Sequence, residues 1–137
     1  MGYLIKAIPT EIVTAKVTLT SANLLTPGYI YAIPEFPKVA GYFWNVLYMN
    51  AEIVNGTTPY LGNSAIHIQA STVSTLQLRF IGTYMQNIVG IWGTATAAGT
   101  VGTQYAQNDN LEIHNPGTLT LGDTELNLYI GANLIPY

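Results

Sequence analysis

The sequence predicts an all-β protein, an antiparallel β-sandwich of jelly-roll type with about eight strands. Three observations carry this. Apolar and polar residues alternate with period two wherever a pattern is present, as half-buried strands require. Good helix formers rarely combine at helical spacing. Gly, Pro, Asn and Asp punctuate the chain at intervals that suit short antiparallel strands, a spacing that a closed barrel also satisfies.

Val13, Ala15, Val17 and Leu19 alternate with Thr14, Lys16, Thr18 and Thr20, which predicts a strand with one face on a core and one wet or at an interface. Pro27-Gly28 turns the chain. Tyr29 to Ile33 then forms a short strand closed by Pro34, and Pro37 keeps the next stretch irregular because proline lacks a ladder donor. Gly41 to Val54 is the longest predicted strand, with Tyr42, Trp44, Val46 and Tyr48 on one face and Phe43, Asn45, Leu47 and Met49 on the other. Both faces are largely apolar, so it belongs in the middle of a sheet with Tyr42, Trp44 and Tyr48 in the core. Asn55-Gly56 tolerates positive φ and opens a loop that runs to Asn63.

Ala65 to Gln69 pairs as a hairpin with a strand in which Leu76, Leu78 and Phe80 alternate with Gln77 and Arg79. Tyr84 to Trp92 carries helical spacing in Met85, Ile88, Val89 and Trp92, but Val89 and Ile91 between Gly90 and Gly93 favour a short strand. Gly93 to Asn110 has little to bury and reads as a long surface loop or an arm toward a neighbour. Leu111 and Ile113 alternate with Glu112 and His114 before the Asn115-Pro116-Gly117 turn. Leu119 and Leu121 extend a short ladder, Gly122-Asp123 turns, and Leu126, Leu128 and Ile130 make the last strand.

The 137 residues fit one β-sandwich domain, residues 1–137, with an N-terminal arm over residues 1–10. Cysteine is absent, so neither a disulfide frame nor thiol chemistry is available. Charged residues are 8% of the chain and the net charge is −3; ordinary soluble domains carry about 25% charged residues. Such a surface suits lasting burial against neighbours, because a free monomer relies on charge to stay dispersed. The four basic residues are dispersed and leave no electrostatic footprint for nucleic acid. Ala40 to Val54, the most apolar stretch, is interrupted by Asn45, Asn50 and Glu52 and falls short of the ~20 residues of a membrane-spanning helix. The start, Met1 to Pro9, lacks the basic and apolar regions of a signal peptide, and Lys6 stands where myristoylation wants Ser or Thr.

Both ends are apolar, whereas free termini are normally polar and mobile. Tyr3, Leu4, Ile5 and Ile8 precede the first strand, and Leu134, Ile135 and Tyr137 follow the last. Each fully buried Leu or Ile is worth about 1.5–3 kcal/mol, so both ends are expected to be ordered and at least one to contact another chain. Tyr60 and Tyr105, near turns, complete the expected interface.

The order of punctuation is distinctive. A threonine-rich strand runs into Leu19-Thr20-Ser21-Ala22-Asn23-Leu24-Leu25, followed by a Pro-containing bend, a long aromatic strand, the loop Gly56-Thr57-Thr58-Pro59-Tyr60, and a closing strand Gly122-Asp123-Thr124-Glu125-Leu126-Asn127-Leu128-Tyr129-Ile130. In this the chain resembles the small β-rich capsid-associated proteins, minor capsid and decoration proteins, of tailed phages and prophages. Where that group carries a glycine- and lysine-bearing bend between its first strands, this chain has Pro34-Glu35-Phe36-Pro37-Lys38. The resemblance implies a virion part built of β-sandwich subunits, often trimeric, assembled in the host cytoplasm with other virion proteins, the major capsid protein first among them. It carries over no catalytic residues.

The residues agree with a non-enzyme. Only His67 and His114 supply an imidazole, and neither lies near a nucleophile motif. Both fall on the polar half of an alternating strand, which predicts exposed or interface histidines. His114 beside Glu112 offers two zinc ligands across a trimer axis without further spacing to support them. Asn108, Asp109, Asn110, Asp123 and Glu125 are oxygen donors for calcium if two loops converge, but turn chemistry accounts for them more simply. No catalytic, cofactor-binding or metal residue is therefore assigned. The expected function is a virion structural protein, a capsid decoration or cement protein or a minor capsid subunit. The alternative, drawn from ten Tyr and two Trp among many Asn and Thr, is a carbohydrate-binding or host-recognition module of a phage fibre or tail.

Overall fold

The computed structural model describes residues 11–54, 56–58, 60–70, 73–81, 91–94, 96–97 and 109–136. Along them run β1 (Val13–Leu19), α1 (Ser21–Leu24), β2 (Tyr29–Ala32), β3 (Tyr42–Val54), β4 (Asn63–Ala70), β5 (Val73–Ile81), β6 (Ile91–Thr94), β7 (Thr96–Ala97), β8 (Leu111–Asn115) and β9 (Glu125–Pro136). The described residues are all-β apart from one short helix. Its strands form two antiparallel sheets, one of four strands in the order β1-β9-β3-β6 and one of five in the order β2-β8-β4-β5-β7.

Alternation sets which residues face inward. Ala15, Val17, Leu19, Met49, Ala51, Leu126, Leu128 and Ile130 from the first sheet join Ile66, Ile68, Leu111 and Ile113 from the second in one buried cluster. β3 sits inside its sheet between β9 and β6, but its phase changes midway. The register with β9 shifts between Val46 and Tyr48, so a bulge re-aims the strand. Trp44 is in the core before the bulge and Met49, Ala51 and Ile53 after it. Tyr48, expected in the core, is thereby turned outward, and its ring lies across Gly131, where a Cβ would collide with it. The two apolar faces apparent in the sequence are largely one core face read in two phases.

Four residues after β1 form α1, which the alternating threonines concealed. Thr20 caps it: its hydroxyl accepts from the Asn23 N–H at 3.3 Å, and Asn23 Oδ1 accepts from the Thr20 N–H at 3.0 Å. Asn115, fully buried at the end of β8, donates to the Leu24 carbonyl at 2.9 Å and accepts from the Ser64 hydroxyl, so it ties α1 to both β8 and β4. The proline-bounded bend is a packed structure. Phe36 is fully buried edge-on to Trp44 at 5.1 Å, and Trp44 Nε1 donates to the Pro37 carbonyl at 2.7 Å.

β9 extends well past Ile130, pairing Leu134 with Trp44 and Ile135 with Phe43. That end is held by its own sheet. Within the segment expected to be a loop or arm, Gly93 and Thr94 belong to β6 and Thr96–Ala97 to β7, and residues 95 and 98–108 lie outside the described residues. Of Tyr84 to Trp92, only Ile91 and Trp92 are described, both in β6. The N-terminal arm also lies outside the described residues. In place of a ladder through Leu119 and Leu121 there is a single bridge between Thr120 and Leu61.

Candidate functional site

At one rim of the molecule the loop after β3 meets the segment before β9. Asp123 Oδ1 accepts from the backbone N–H groups of Thr57 and Thr58, each at 2.8 Å, and Oδ2 accepts from the Thr57 hydroxyl at 2.6 Å. The Thr57 hydroxyl, followed by the Thr58 N–H, holds the Asp123 carboxyl below its ordinary range. Beneath this clamp Tyr60 is fully buried and donates its hydroxyl proton to the Thr124 carbonyl at 2.5 Å. Burial, reinforced by the negative charges of Asp123 and Glu125, pushes the Tyr60 hydroxyl up to about 12. Gly122, at φ 85, passes so close to the Tyr60 ring that a Cβ would overlap it. Leu61 and Thr120 exchange both backbone hydrogen bonds at 2.8 Å.

The fixed rim holds two apolar side chains out of the core. Leu61 is 53% exposed and Leu121 60%. Leu121 has φ 55, a left-handed conformation that costs a non-glycine residue about 1–3 kcal/mol. A strained, outward-facing leucine on a braced loop is a residue suited to contact with something else. The sequence signal for it was an apolar residue beside glycine in each turn, Leu61-Gly62 and Leu121-Gly122.

The outer face of the four-stranded sheet sets Lys16 and Glu52 among Thr, Asn and Tyr side chains. Across it the Thr18 hydroxyl donates to Asn127 Oδ1 at 2.7 Å, and Asn127 Nδ2 donates to Glu52 at 2.9 Å. Asn45 donates to Asn133 at 3.1 Å, and Lys16 stands 5.7 Å over the Tyr129 ring. Thr14, Lys16, Tyr48 and Tyr129 line a shallow groove, and Leu47 is exposed at the bulge.

On the outer face of the five-stranded sheet, β2, β8 and β4 set Ile30, His114 and His67 in one row, and Ala32, Glu112 and Gln69 in the next. His67, expected to be exposed or at an interface, is buried on a strand flanked by β8 and β5, and His114 is half-buried. His114 Nδ1 lies 3.2 Å from His67 Nε2, and the same Nε2 lies 3.1 Å from Gln69 Oε1. Gln69 Nε2 donates to Glu112 Oε1 at 2.6 Å. Burial and the adjacent His67 hold the His114 imidazole below its ordinary pKa, against the opposing charge of Glu112.

Of the expected interface residues, Tyr60 is corrected: it is a buried brace of the rim, because its hydroxyl finds a carbonyl inside the chain. Leu134 and Ile135 are half-buried in β9, with Leu134 packed against the core. Tyr3, Leu4, Ile5, Ile8, Tyr105 and Tyr137 lie outside the described residues. Asp123, weighed as a calcium donor, instead spends both oxygens on Thr57 and Thr58, and Asp109 accepts from the Asn110 N–H at 2.9 Å.

No protein-family model matches the chain, and no curated protein matches it. Among solved structures, a chain of the cyanophage Pam1 capsid asymmetric unit is similar in fold, with a TM-score of 0.53 and 14% sequence identity, over 99% of this chain and 91% of that one.

Proposed function

We propose that this chain is a virion structural protein, a capsid decoration or cement protein or a minor capsid subunit, which stabilises a shell through protein–protein contacts and catalyses nothing. The likeness in fold to a chain of a phage capsid, over almost the whole length of both, is the observation that carries the reading. The strand order supports it. Rolling up a chain of eight strands as two Greek keys sets the first, last, third and sixth in one sheet and the second, seventh, fourth and fifth in the other. With the two-residue β7 counted as an extra edge, β1-β9-β3-β6 and β2-β8-β4-β5 follow that order. A jelly-roll domain spanning residues 1–137 is therefore the finer reading of the two sheets.

The proposed contacts are a homo-oligomer, with a trimer favoured, and neighbouring virion proteins, the major capsid protein first among them. Leu61 and Leu121 on the rim, the Thr-, Asn- and Tyr-rich outer face of the four-stranded sheet, and the apolar N-terminal arm supply the buried area. The virion is the corresponding location, and nucleic acid is no direct partner. A carbohydrate-binding role has lost Tyr60 as a platform, since its ring is inside the chain. Deleting Met1 to Pro9 tests the arm: sedimentation velocity should show weakened assembly while circular dichroism keeps the β signature. Unchanged assembly after the deletion would remove the arm from the account.

A further inference from the structure

We propose that His67 and His114, with the Gln69 amide oxygen, form a binding site for a zinc-class divalent cation on the outer face of the five-stranded sheet. This stands independently of the virion reading. Two ligands held ~2.0–2.1 Å from a tetrahedral metal are about 3.3–3.4 Å apart, and His114 Nδ1 and His67 Nε2 are 3.2 Å apart. A straight N–H···N bond keeps two rings further apart than this pair, whose centroids are 4.9 Å apart with planes at 84°. The spacing that now serves a hydrogen bond between the two rings also suits a cation held by both nitrogens once that proton is displaced.

Gln69 Oε1, at 3.1 Å from His67 Nε2, adds a third donor at a similar edge length. Glu112 fixes its orientation: by accepting the Gln69 amide proton at 2.6 Å, it turns the carbonyl oxygen toward the two imidazoles. Among the described residues no third His, Cys, Asp or Glu completes a cluster, and the ligands they offer are two nitrogens and one amide oxygen, with an open position for water. Imidazole nitrogens select zinc, copper or nickel over magnesium and calcium, which prefer all-oxygen shells. The cross-strand pairing of His67 with His114 places both ligands on neighbouring strands of one sheet, so the site needs no folding step of its own.

The chain contains two histidines, so any histidine signal reports on this site alone. Zinc chloride is titrated into the full chain while the imidazole nitrogens are followed by NMR and the affinity by calorimetry. The expected result is saturable one-site binding that moves the ring signals of both histidines together and is matched by neither magnesium nor calcium. His114→Gln, at the half-buried ligand, should abolish it, and Glu112→Gln should weaken it roughly tenfold to a hundredfold through the loss of orientation. Histidine signals that stay in place at saturating zinc, or affinity unchanged in His114→Gln, would overturn the proposal. The NMR arm decides the matter even if the variant fails to fold.

Discussion

Asp123 grips Thr57 twice, taking its N–H at 2.8 Å on one carboxylate oxygen and its hydroxyl at 2.6 Å on the other. The residues are far apart in sequence, yet this contact fixes the loop that carries Leu61 to the segment that carries Leu121. Since the hydroxyl and N–H donors favour the ionised form, the Asp123 pKa is lower folded than unfolded. The folded state then binds fewer protons at acid pH. The contribution is present above the unfolded carboxylate value and is lost as pH falls through the folded one. Urea unfolding from pH 6 to pH 2 should show a smaller acid loss in Asp123→Ala than in the parent, and identical slopes would contradict the clamp.

Tyr60 makes the opposite prediction at alkaline pH. Its hydroxyl is pushed up to about 12 from the ordinary 10.0, so the folded state holds a proton that the unfolded chain releases. The stability that Tyr60 contributes is complete below pH ~10 and is lost as pH rises toward ~12. Ultraviolet titration should find one of the ten tyrosines ionising last, and Tyr60→Phe should remove that late step.

How much of this was legible in the sequence follows the range of the interactions. Period-two alternation located β1, the β4–β5 hairpin and β8, whereas β2, mostly exposed, was bounded by Pro27-Gly28 and Pro34. The bulge in β3 was hidden because Phe43, Leu47 and Tyr48 make either phase look apolar. β9 ran past its predicted end because Leu134 and Ile135 pair with Trp44 and Phe43, distant in sequence. α1 depended on a cap whose Asn23 stands where Glu or Gln is the usual signal. At the candidate sites, Tyr60 looked like a surface residue because a turn surrounds it, and the His67–His114 pair arises only from strand register.

Asn115 shows the same limit, since an Asn-Pro-Gly turn gives no sign of burial. It is fully buried, with its amide group donating to Leu24 and Asn23 and its oxygen accepting from Ser64 and Gly117. Asn115→Ala leaves buried polar groups without partners and should cost about 2–3 kcal/mol in denaturant unfolding.

Gly131→Ala should displace the Tyr48 ring and cost about 1–3 kcal/mol, because the ring covers the space the methyl needs. Combining it with Tyr48→Ala should recover part of the loss. Additive losses in the double variant would contradict the contact.

In the proposed virion role, Leu121 is kept strained and exposed for contact with a neighbouring chain. Sedimentation velocity on the full chain, paired with thermal unfolding, tests it most directly in Leu121→Gly. Glycine relieves the φ of 55, so the fold should be as stable as the parent or more so. The account predicts a trimer-sized species for the parent that shifts toward monomer in Leu121→Gly, with the unfolding midpoint undiminished. A parent that stays monomeric at every concentration and binds no capsid shell, or a variant that assembles as the parent does, would contradict it.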